Sequence, residues 1–145
     1  MKTTHTLSAK TGTPMKNPSL YRSAIGALQY LTHTKPDIAF MVNKLSQFLQ
    51  EPTDTHWQSL KRVFRYLKGT IYYGLHIQNN EKLTLTGFSN VDWASCPDDR
   101  RSVAGYCVYI GDTLISWSSK KQHVVARSST ESEYRALAQV AAKIS

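Results

Sequence analysis

The segment from Gly87 to Leu137 constrains the fold of this 145-residue chain more than any other. Apolar and aromatic residues alternate in three runs, at 106–110, 113–117 and 123–127, and this period predicts three strands. Gly111-Asp112, between the first two runs, is typical of a two-residue hairpin turn, because Gly accepts the positive φ that such a turn requires. The segment therefore predicts an antiparallel meander.

A helix is predicted directly after the third run. Ser128 with Glu131, and Thr130 with Glu133, both have the spacing of a capping box, so both pairs are candidates for its first turn. From Tyr134 onward, apolar residues continue at helical period. The meander is thus expected to lead into one helix.

The first half of the chain predicts an arm followed by three helices. Residues 1–19 are polar, rich in Thr, Ser, Lys and Pro, and aperiodic, which is typical of a flexible arm. Three apolar stripes at helical period follow, at residues 20–31, 38–49 and 57–67. Pro36 and Pro52 separate the stripes, and Gly69 follows the last one. We therefore expect a helical region at residues 20–70.

Two further strands are predicted at residues 71–77 and 82–88, with Asn79-Asn80 as the turn between them. Lys120-Lys121-Gln122 is interpreted as a hairpin tip between the second and third runs of the meander. Together these elements predict an α+β chain, in which a short helical region precedes an antiparallel sheet with one helix.

Positive charge is concentrated in the helical half. The formal net charge is +8, with ten Lys or Arg against three acidic residues up to position 70, and eight against seven after it. Four of these cations lie on the flank and back of the third apolar stripe: Lys61, Arg62, Arg65 and Lys68. A solvated helix face is one interpretation, but four neighbouring cations repel one another unless an anion lies across them.

Cysteine spacing and hydropathy argue against a zinc-binding, secreted or membrane-spanning protein. Cys96 and Cys107 do not have the spacing of a zinc site, and the five His are scattered. The first residues lack the apolar run of a signal peptide, and no window approaches the ~20 apolar residues of a membrane span. We therefore expect an intracellular protein with free thiols and no membrane partner.

The segments that carry the predicted elements also match one family. Three runs in the second half resemble the first half of the ribonuclease H domain of copia-type retrotransposon Pol polyproteins. They are FSNVDWAS, RRSVAGYCVYIGDTLISWSSKKQ and SSTESEYRAL. The upstream segment is similar to the end of the reverse transcriptase region in the same polyproteins. It reads YRSAIGALQYLTHTKPDIAFMVNKLSQFLQEPTDTHWQSLKRVFRYLKGT. The resemblance implies a thumb-like region at residues 20–70 and the N-terminal half of a ribonuclease H-like domain at residues 71–145.

The resemblance also implies a damaged metal site. In the family, the first Asp of F/Y-S-D-A-D-W binds metal, and Asn90 stands in its place, while the second Asp is retained as Asp92. The Glu before Tyr-x-Ala-Leu corresponds to Glu133, and the family's other acidic residues are expected beyond Ser145. The complete domain uses two Mg²⁺ ions, which need several carboxylates. Asn90 and Glu133 are thus expected to be vestigial, with no metal retained, and Asp92 is predicted to lie past the strand end.

Three functions follow from these observations. The first is a catalytically inactive part of a reverse transcriptase and ribonuclease H polyprotein, with weak, non-specific binding of RNA–DNA hybrid or DNA duplex. The second is a non-catalytic nucleic-acid-binding module, and the third is a hybrid ribonuclease completed by a partner chain or by oligomerisation. In the family, a later strand pairs with the run at residues 83–88, and that strand is expected to be missing from these 145 residues. An unpaired edge at this run, and self-association through it, are therefore also expected.

Overall fold

The computed structural model describes residues 7–79 and 83–145, and it confirms an α+β chain. The chain divides into two compact units, Met1–Gly74 and Leu75–Ser145. The first unit contains three helices, and the second contains a three-stranded antiparallel sheet and a fourth helix. Within the described ranges, no helix combines the length and the apolar character that crossing a bilayer requires.

The first unit is built from the three predicted helices. They are α1 (Pro18–Leu31), α2 (Ala39–Ser46), which follows a 3₁₀ turn (Pro36–Ile38), and α3 (Asp54–Gly69). Pro18 has the fixed φ that suits a first helical residue. At the start of α3, the Thr53 backbone N–H donates to His56 Nδ1 at 3.0 Å, which satisfies a group that the helix itself leaves unpaired.

Apolar side chains of the three helices form one core. Its buried members are Leu7, Tyr21, Ile25, Leu28, Ile38, Val42, Leu45, Phe48, Leu60 and Val63. The Tyr21 hydroxyl lies inside this core and donates to the Leu45 carbonyl oxygen at 2.8 Å, so its polar end is satisfied. Burial raises the pKa of the Tyr21 hydroxyl. The phenol therefore stays neutral and ties α1 to the end of α2.

Part of the predicted arm lies against this core. Leu7 is only 5% exposed and belongs to the core itself. The Thr13 backbone N–H donates to Asp54 Oδ1 at 2.8 Å, and the Asp54 backbone N–H donates to the Thr13 carbonyl oxygen at 2.9 Å. These bonds attach this part of the chain to the start of α3. The first six residues of the predicted arm lie outside the described residues.

The sheet of the second unit has the order β1-β2-β3, and both strand pairs are antiparallel. Its strands are β1 (Leu85–Asp92), β2 (Val103–Ile110) and β3 (Thr113–Lys121). The predicted hairpin is confirmed, because Gly111 has a φ of +55° and Ile110 pairs with Thr113. Within the described residues β1 pairs only with β2, so β1 is an edge strand.

The predicted helix after the meander is also confirmed, as α4 (Ser129–Ile144), and it packs on β1 and β2. Ser132, Ala136 and Val140 form its buried stripe. Gly87 of β1 allows the close approach, because a Cβ atom at this position would lie 2.6 Å from Ile144 Cδ1.

Two of the predicted strands are wrong. Residues 71–77 form no strand, and most of them are exposed. Residues 123–127 are irregular too, because the Arg127 backbone N–H donates to the Glu131 side chain at 2.8 Å rather than to a neighbouring strand. Both runs alternate, but neither meets a partner strand that would satisfy its backbone. The predicted turn at Asn79-Asn80 and the start of the strand at 82–88 fall partly outside the described residues.

The predicted hairpin tip at Lys120-Lys121-Gln122 is also wrong. Lys120 and Lys121 are the last residues of β3, where they pair with Ala104 and Val103. β3 is longer than its alternating run predicted, because β2 offers partners along its whole length.

Candidate functional site

An open cleft of about 420 Å³ lies between β1 and α4. Asn90 and Glu133, the two predicted site residues, both line this cleft. Its other lining residues are Ser89, Val91, Thr130, Tyr134, Ala136 and Leu137. Two positions that are far apart in the sequence are thus neighbours on one surface.

The first turn of α4 determines which glutamate faces the cleft. The Ser128 hydroxyl accepts from the Glu131 backbone N–H at 3.1 Å, so Ser128 and Glu131 form the capping pair. Glu131 also accepts from the Arg127 backbone N–H at 2.8 Å and from the Arg135 guanidinium at 2.9 Å. The bond from the Arg127 backbone, together with that from Arg135, lowers the pKa of Glu131. Glu131 is therefore engaged in capping, and Glu133 is the glutamate that lines the cleft.

Asn90 and Asp92 both lie on the edge strand β1. Asn90 Oδ1 accepts from the Val91 backbone N–H at 2.9 Å, so the amide oxygen already has a partner in the strand itself. The predicted position of Asp92 is wrong, because Asp92 ends β1 and pairs with Val103 rather than lying in a turn. Side chains alternate along a strand, so Asn90 and Asp92 share one face and Gly87, which meets α4, lies on the other. The predicted reason for excluding Asp92 as a substitute is therefore lost.

The residues at the cleft do not fit the two-ion site of the complete family domain. Within residues 7–79 and 83–145, no three His, Cys, Asp or Glu side chains come together in a way that could hold a metal ion. The cleft is lined by one carboxylate residue, Glu133, and by the neutral residue Asn90 of β1. Mg²⁺ prefers several anionic oxygens, and two adjacent dications need more negative charge than one carboxylate supplies.

The four predicted phosphate-binding cations lie along α3. Lys61, Arg65 and Lys68 are exposed, and Arg62 is half-buried. At 3.6 residues per turn, the three exposed cations fall within an arc of about 60° around the helix axis. No salt bridge joins any of the four to an acidic side chain in the described part of the chain. α3 therefore presents a row of positive charge to solvent.

The sequence analysis missed a charged cluster at the end of β3. Lys121 Nζ lies 2.7 Å from Asp99 Oδ2 and donates to Cys96 Sγ at 3.2 Å. Partial burial disfavours the charged form of Asp99, but hydrogen bonds from Lys121 and Cys96 outweigh it and lower the pKa of Asp99 to about 2. Residues 118–122 are all polar and carry no alternation, so no local pattern places Lys121 in a strand; its pairing with Val103 of β2 does.

Comparison with known proteins gives relatives but no structural neighbour. No protein-family model matches the chain, and no solved structure matches it. The chain is 53% identical over 128 residues to an uncharacterized mitochondrial protein of Arabidopsis thaliana, a match that covers 88% of this chain and 53% of the relative.

Two further relatives, also from Arabidopsis thaliana, are retrovirus-related Pol polyproteins. The chain is 47% identical over 144 residues to the polyprotein from transposon RE2, covering 99% of this chain and 10% of the relative. It is 49% identical over 138 residues to the polyprotein from transposon RE1, covering 95% of this chain and 9% of the relative. The chain thus spans about half of the mitochondrial relative and about a tenth of each polyprotein. On these matches, which confirm the resemblance found in the sequence, the chain belongs to the family of copia-type retrotransposon Pol polyproteins.

Proposed function

We propose that this chain is a non-catalytic part of a copia-type Pol polyprotein that binds RNA–DNA hybrid and DNA duplex through α3. The observation that carries the proposal is the row of exposed cations at Lys61, Arg65 and Lys68, with Arg62 beside it. Lys and Arg side chains in such a row contact phosphates rather than bases, so binding has little sequence preference. The thumb-like assignment of residues 20–70 is part of this proposal.

The salt dependence of binding measures how many of these cations contact phosphates. Each phosphate that a protein neutralises on B-form duplex adds about 0.9 to the slope of log affinity against log salt. Four contacts predict a slope of about −3.6, which corresponds to a roughly 150-fold loss of affinity between about 50 and 200 mM salt.

The test is a titration of a fluorescein-labelled hybrid and a labelled DNA duplex at those two salt concentrations. The test variant replaces the four α3 cations by Gln. The matched control replaces four exposed lysines elsewhere, and so changes the net charge equally: Lys10, Lys16, Lys120 and Lys143. We expect the α3 variant to lose most of the affinity and of the salt slope, and the control to keep both. Equal losses in the two variants would mean that net charge alone causes binding.

We further propose that residues 71–145 are the N-terminal half of a ribonuclease H-like domain, which does not hydrolyse RNA by itself. The antiparallel order β1-β2-β3, followed by α4 on one face, supports this assignment. The single carboxylate of the cleft supports the absence of hydrolysis. We expect Asn90→Asp in this chain to give no Mg²⁺-dependent cleavage of the RNA strand of a hybrid. Cleavage by that variant would show that one charge was all the site lacked.

A second candidate is a hybrid ribonuclease that a further segment or a partner chain completes. The observation that favours it is the cleft itself, because Asn90 and Glu133 both line it, and β1 is an edge strand within the described residues. The test appends the downstream half of a related copia-type domain, with and without Asn90→Asp. We expect cleavage only when both changes are present, because the appended carboxylates alone leave the position of Asn90 uncharged.

The doubly changed protein also tests the alignment of the site. Glu133→Gln should abolish its cleavage, and Asp92→Asn should reduce it much less. The comparison matters because Asp92 shares a strand face with Asn90. If Asp92 proves as indispensable as Glu133, then Asp92 and not position 90 is the metal-binding position of this chain.

A further inference from the structure

An exposed pair of aromatic side chains follows the cationic helix. Tyr72 is 99% exposed and Tyr73 is 73% exposed, and Ile71 before them is 68% exposed. Phe64, on α3 itself, is also 41% exposed. Single exposed apolar residues are ordinary on protein surfaces, but adjacent large ones directly after a cationic helix indicate a surface that binds a partner.

The backbone that carries the tyrosine pair is held in place. Lys35 Nζ donates to the Thr70 carbonyl oxygen and to the Tyr73 carbonyl oxygen, both at 2.7 Å. The Tyr73 backbone N–H also donates to the Thr70 carbonyl oxygen at 3.1 Å. These bonds close a turn directly after α3, so the two rings start from a fixed position four and five residues after Lys68. An anchored backbone lowers the entropy that ordering these rings on a ligand would cost.

We propose that this surface, defined by the α3 cations and the Tyr72–Tyr73 pair, binds single-stranded nucleic acid in preference to duplex. The proposal rests on the proposed function and names the form of nucleic acid that fits the site best. Cations track the phosphates of the strand, and unpaired bases stack on the tyrosine rings. In a duplex the base faces are already stacked on one another, so the rings gain no contact there.

The dimensions of the surface agree with a short stretch of strand. Lys61 to Lys68 spans about 10 Å along the helix at 1.5 Å per residue. Successive phosphates of one stacked strand advance about 3.4 Å along the helix axis, so this row covers about three of them. The two rings then take one or two further bases. A footprint of about five nucleotides lies within the range of other single-strand-binding surfaces.

The experiment measures the anisotropy of a fluorescein-labelled oligothymidine of about 15 nucleotides and of a labelled DNA duplex, using the full chain. The test variant is Tyr72→Ala with Tyr73→Ala, and the conservative variant is Tyr72→Phe with Tyr73→Phe. The matched control is Tyr30→Ala, which removes another exposed tyrosine. All three changed positions are at the surface, and circular dichroism checks that each variant is folded.

We expect the alanine pair to weaken oligothymidine binding roughly tenfold and to leave duplex binding unchanged. The phenylalanine pair should bind like the unchanged protein, because a ring without its hydroxyl still stacks. The Tyr30→Ala control should also bind like the unchanged protein, because Tyr30 is not part of the proposed surface. An equal loss on oligothymidine and duplex, or no loss on either, overturns the stacking role.

The same titrations separate this inference from the proposed function. If the alanine pair changes nothing but the four Gln substitutions on α3 abolish binding, the stacking role is wrong and the α3 assignment stands. If the four Gln substitutions also change nothing, both are wrong. A Tyr72→Trp variant adds a direct signal, since stacking on a base should quench its fluorescence and phosphate contact alone should not.

Discussion

Removing the carboxylate of Asp99 should destabilise the second unit in a way that depends on Lys121 and on pH. Asp99 lies between β1 and β2, and its Oδ2 atom is 2.7 Å from Lys121 Nζ at the end of β3. The Lys121 side chain is 20% exposed, so Asp99→Asn removes a carboxylate that lies beside a partly buried lysine. The pair therefore ties the β1–β2 loop to the far strand of the sheet.

The pKa of Asp99 sets the size of the effect. Its folded value of about 2 lies below the ordinary value of 3.8. A difference of nearly two units corresponds to at most roughly 2.5 kcal/mol at 1.36 kcal/mol per unit. The Asp99 side chain is 36% exposed, and solvent screens a pair of this kind. We therefore expect Asp99→Asn to cost about 1 kcal/mol at neutral pH.

The pH dependence has a definite sign. Because the folded pKa of Asp99 is lower than the unfolded one, the pair stabilises the fold above pH 3.8, and this contribution disappears as the pH falls toward 2. The cost of Asp99→Asn should shrink in the same window.

The assay is urea unfolding followed by tryptophan fluorescence in a Trp57→Phe background, in which the remaining tryptophans belong to the second unit. A double-mutant cycle with Lys121→Met isolates the pairwise term. A coupling energy near zero, or a cost of Asp99→Asn that is the same at pH 7 and pH 2, would refute the reasoning.

Three further predictions concern the core, the α4 contact and the free edge. Tyr21→Phe should cost about 1 kcal/mol in urea unfolding, because it removes the buried hydrogen bond to the Leu45 carbonyl oxygen; an unchanged midpoint would contradict this. Gly87→Val should cost about 1–3 kcal/mol in thermal unfolding and Gly87→Ala less, since the nearest atom to a new Cβ is the mobile end of Ile144. Phe88→Lys should reduce self-association measured by light scattering, because Phe88 is 61% exposed on the edge strand; equal association of both proteins would exclude the edge as the contact.

Local sequence patterns were sufficient for the hairpin and for the helices. The turn at Gly111 and the cap at Ser128 depend on contacts with residues only a few positions away. The apolar stripes of α1 and α3 recur within single helices, so their period alone predicts a helix. It does not fix the buried side, because Leu20 and Phe64 of the stripes are exposed, while Tyr21 and Val63 beside them are buried. Such features are predictable because the sequence neighbours are also the spatial neighbours.

Contacts between distant segments decided the features that were wrong. Alternation at residues 71–77 and 123–127 is compatible with a strand, but a strand requires a partner whose presence no local pattern reports. The end of β1 also depends on a partner strand. β1 extends to Asp92 because Val103, at the start of β2, lies opposite Asp92 and pairs with it. The attachment of the arm depends on a bond from Thr13 to Asp54, a contact that composition does not reveal.

The candidate site was predictable only through the family resemblance. No period or spacing in the sequence pairs Asn90 with Glu133, and yet both line one cleft. The resemblance supplied the two positions, and the structure shows that the cleft is lined by only one carboxylate. The single side-chain oxygen of Asn90 accepts from the Val91 backbone N–H, whereas an aspartate would keep a second oxygen, so charge is not the only difference between the two.

Binding and hydrolysis make opposite electrostatic demands on a protein of this kind. A two-ion site concentrates carboxylates, which repel a phosphodiester until the ions bind. The cleft of this chain is lined by one carboxylate, and the described residues contain no group of three His, Cys, Asp or Glu that could hold a metal ion. The cleft therefore presents little negative charge that Mg²⁺ must neutralise. The row of cations lies in the other unit, whose first 70 residues carry ten basic and three acidic side chains. In the proposed function, attraction of a polyanion to α3 therefore requires no divalent ion, and it does not depend on the chemistry of the cleft.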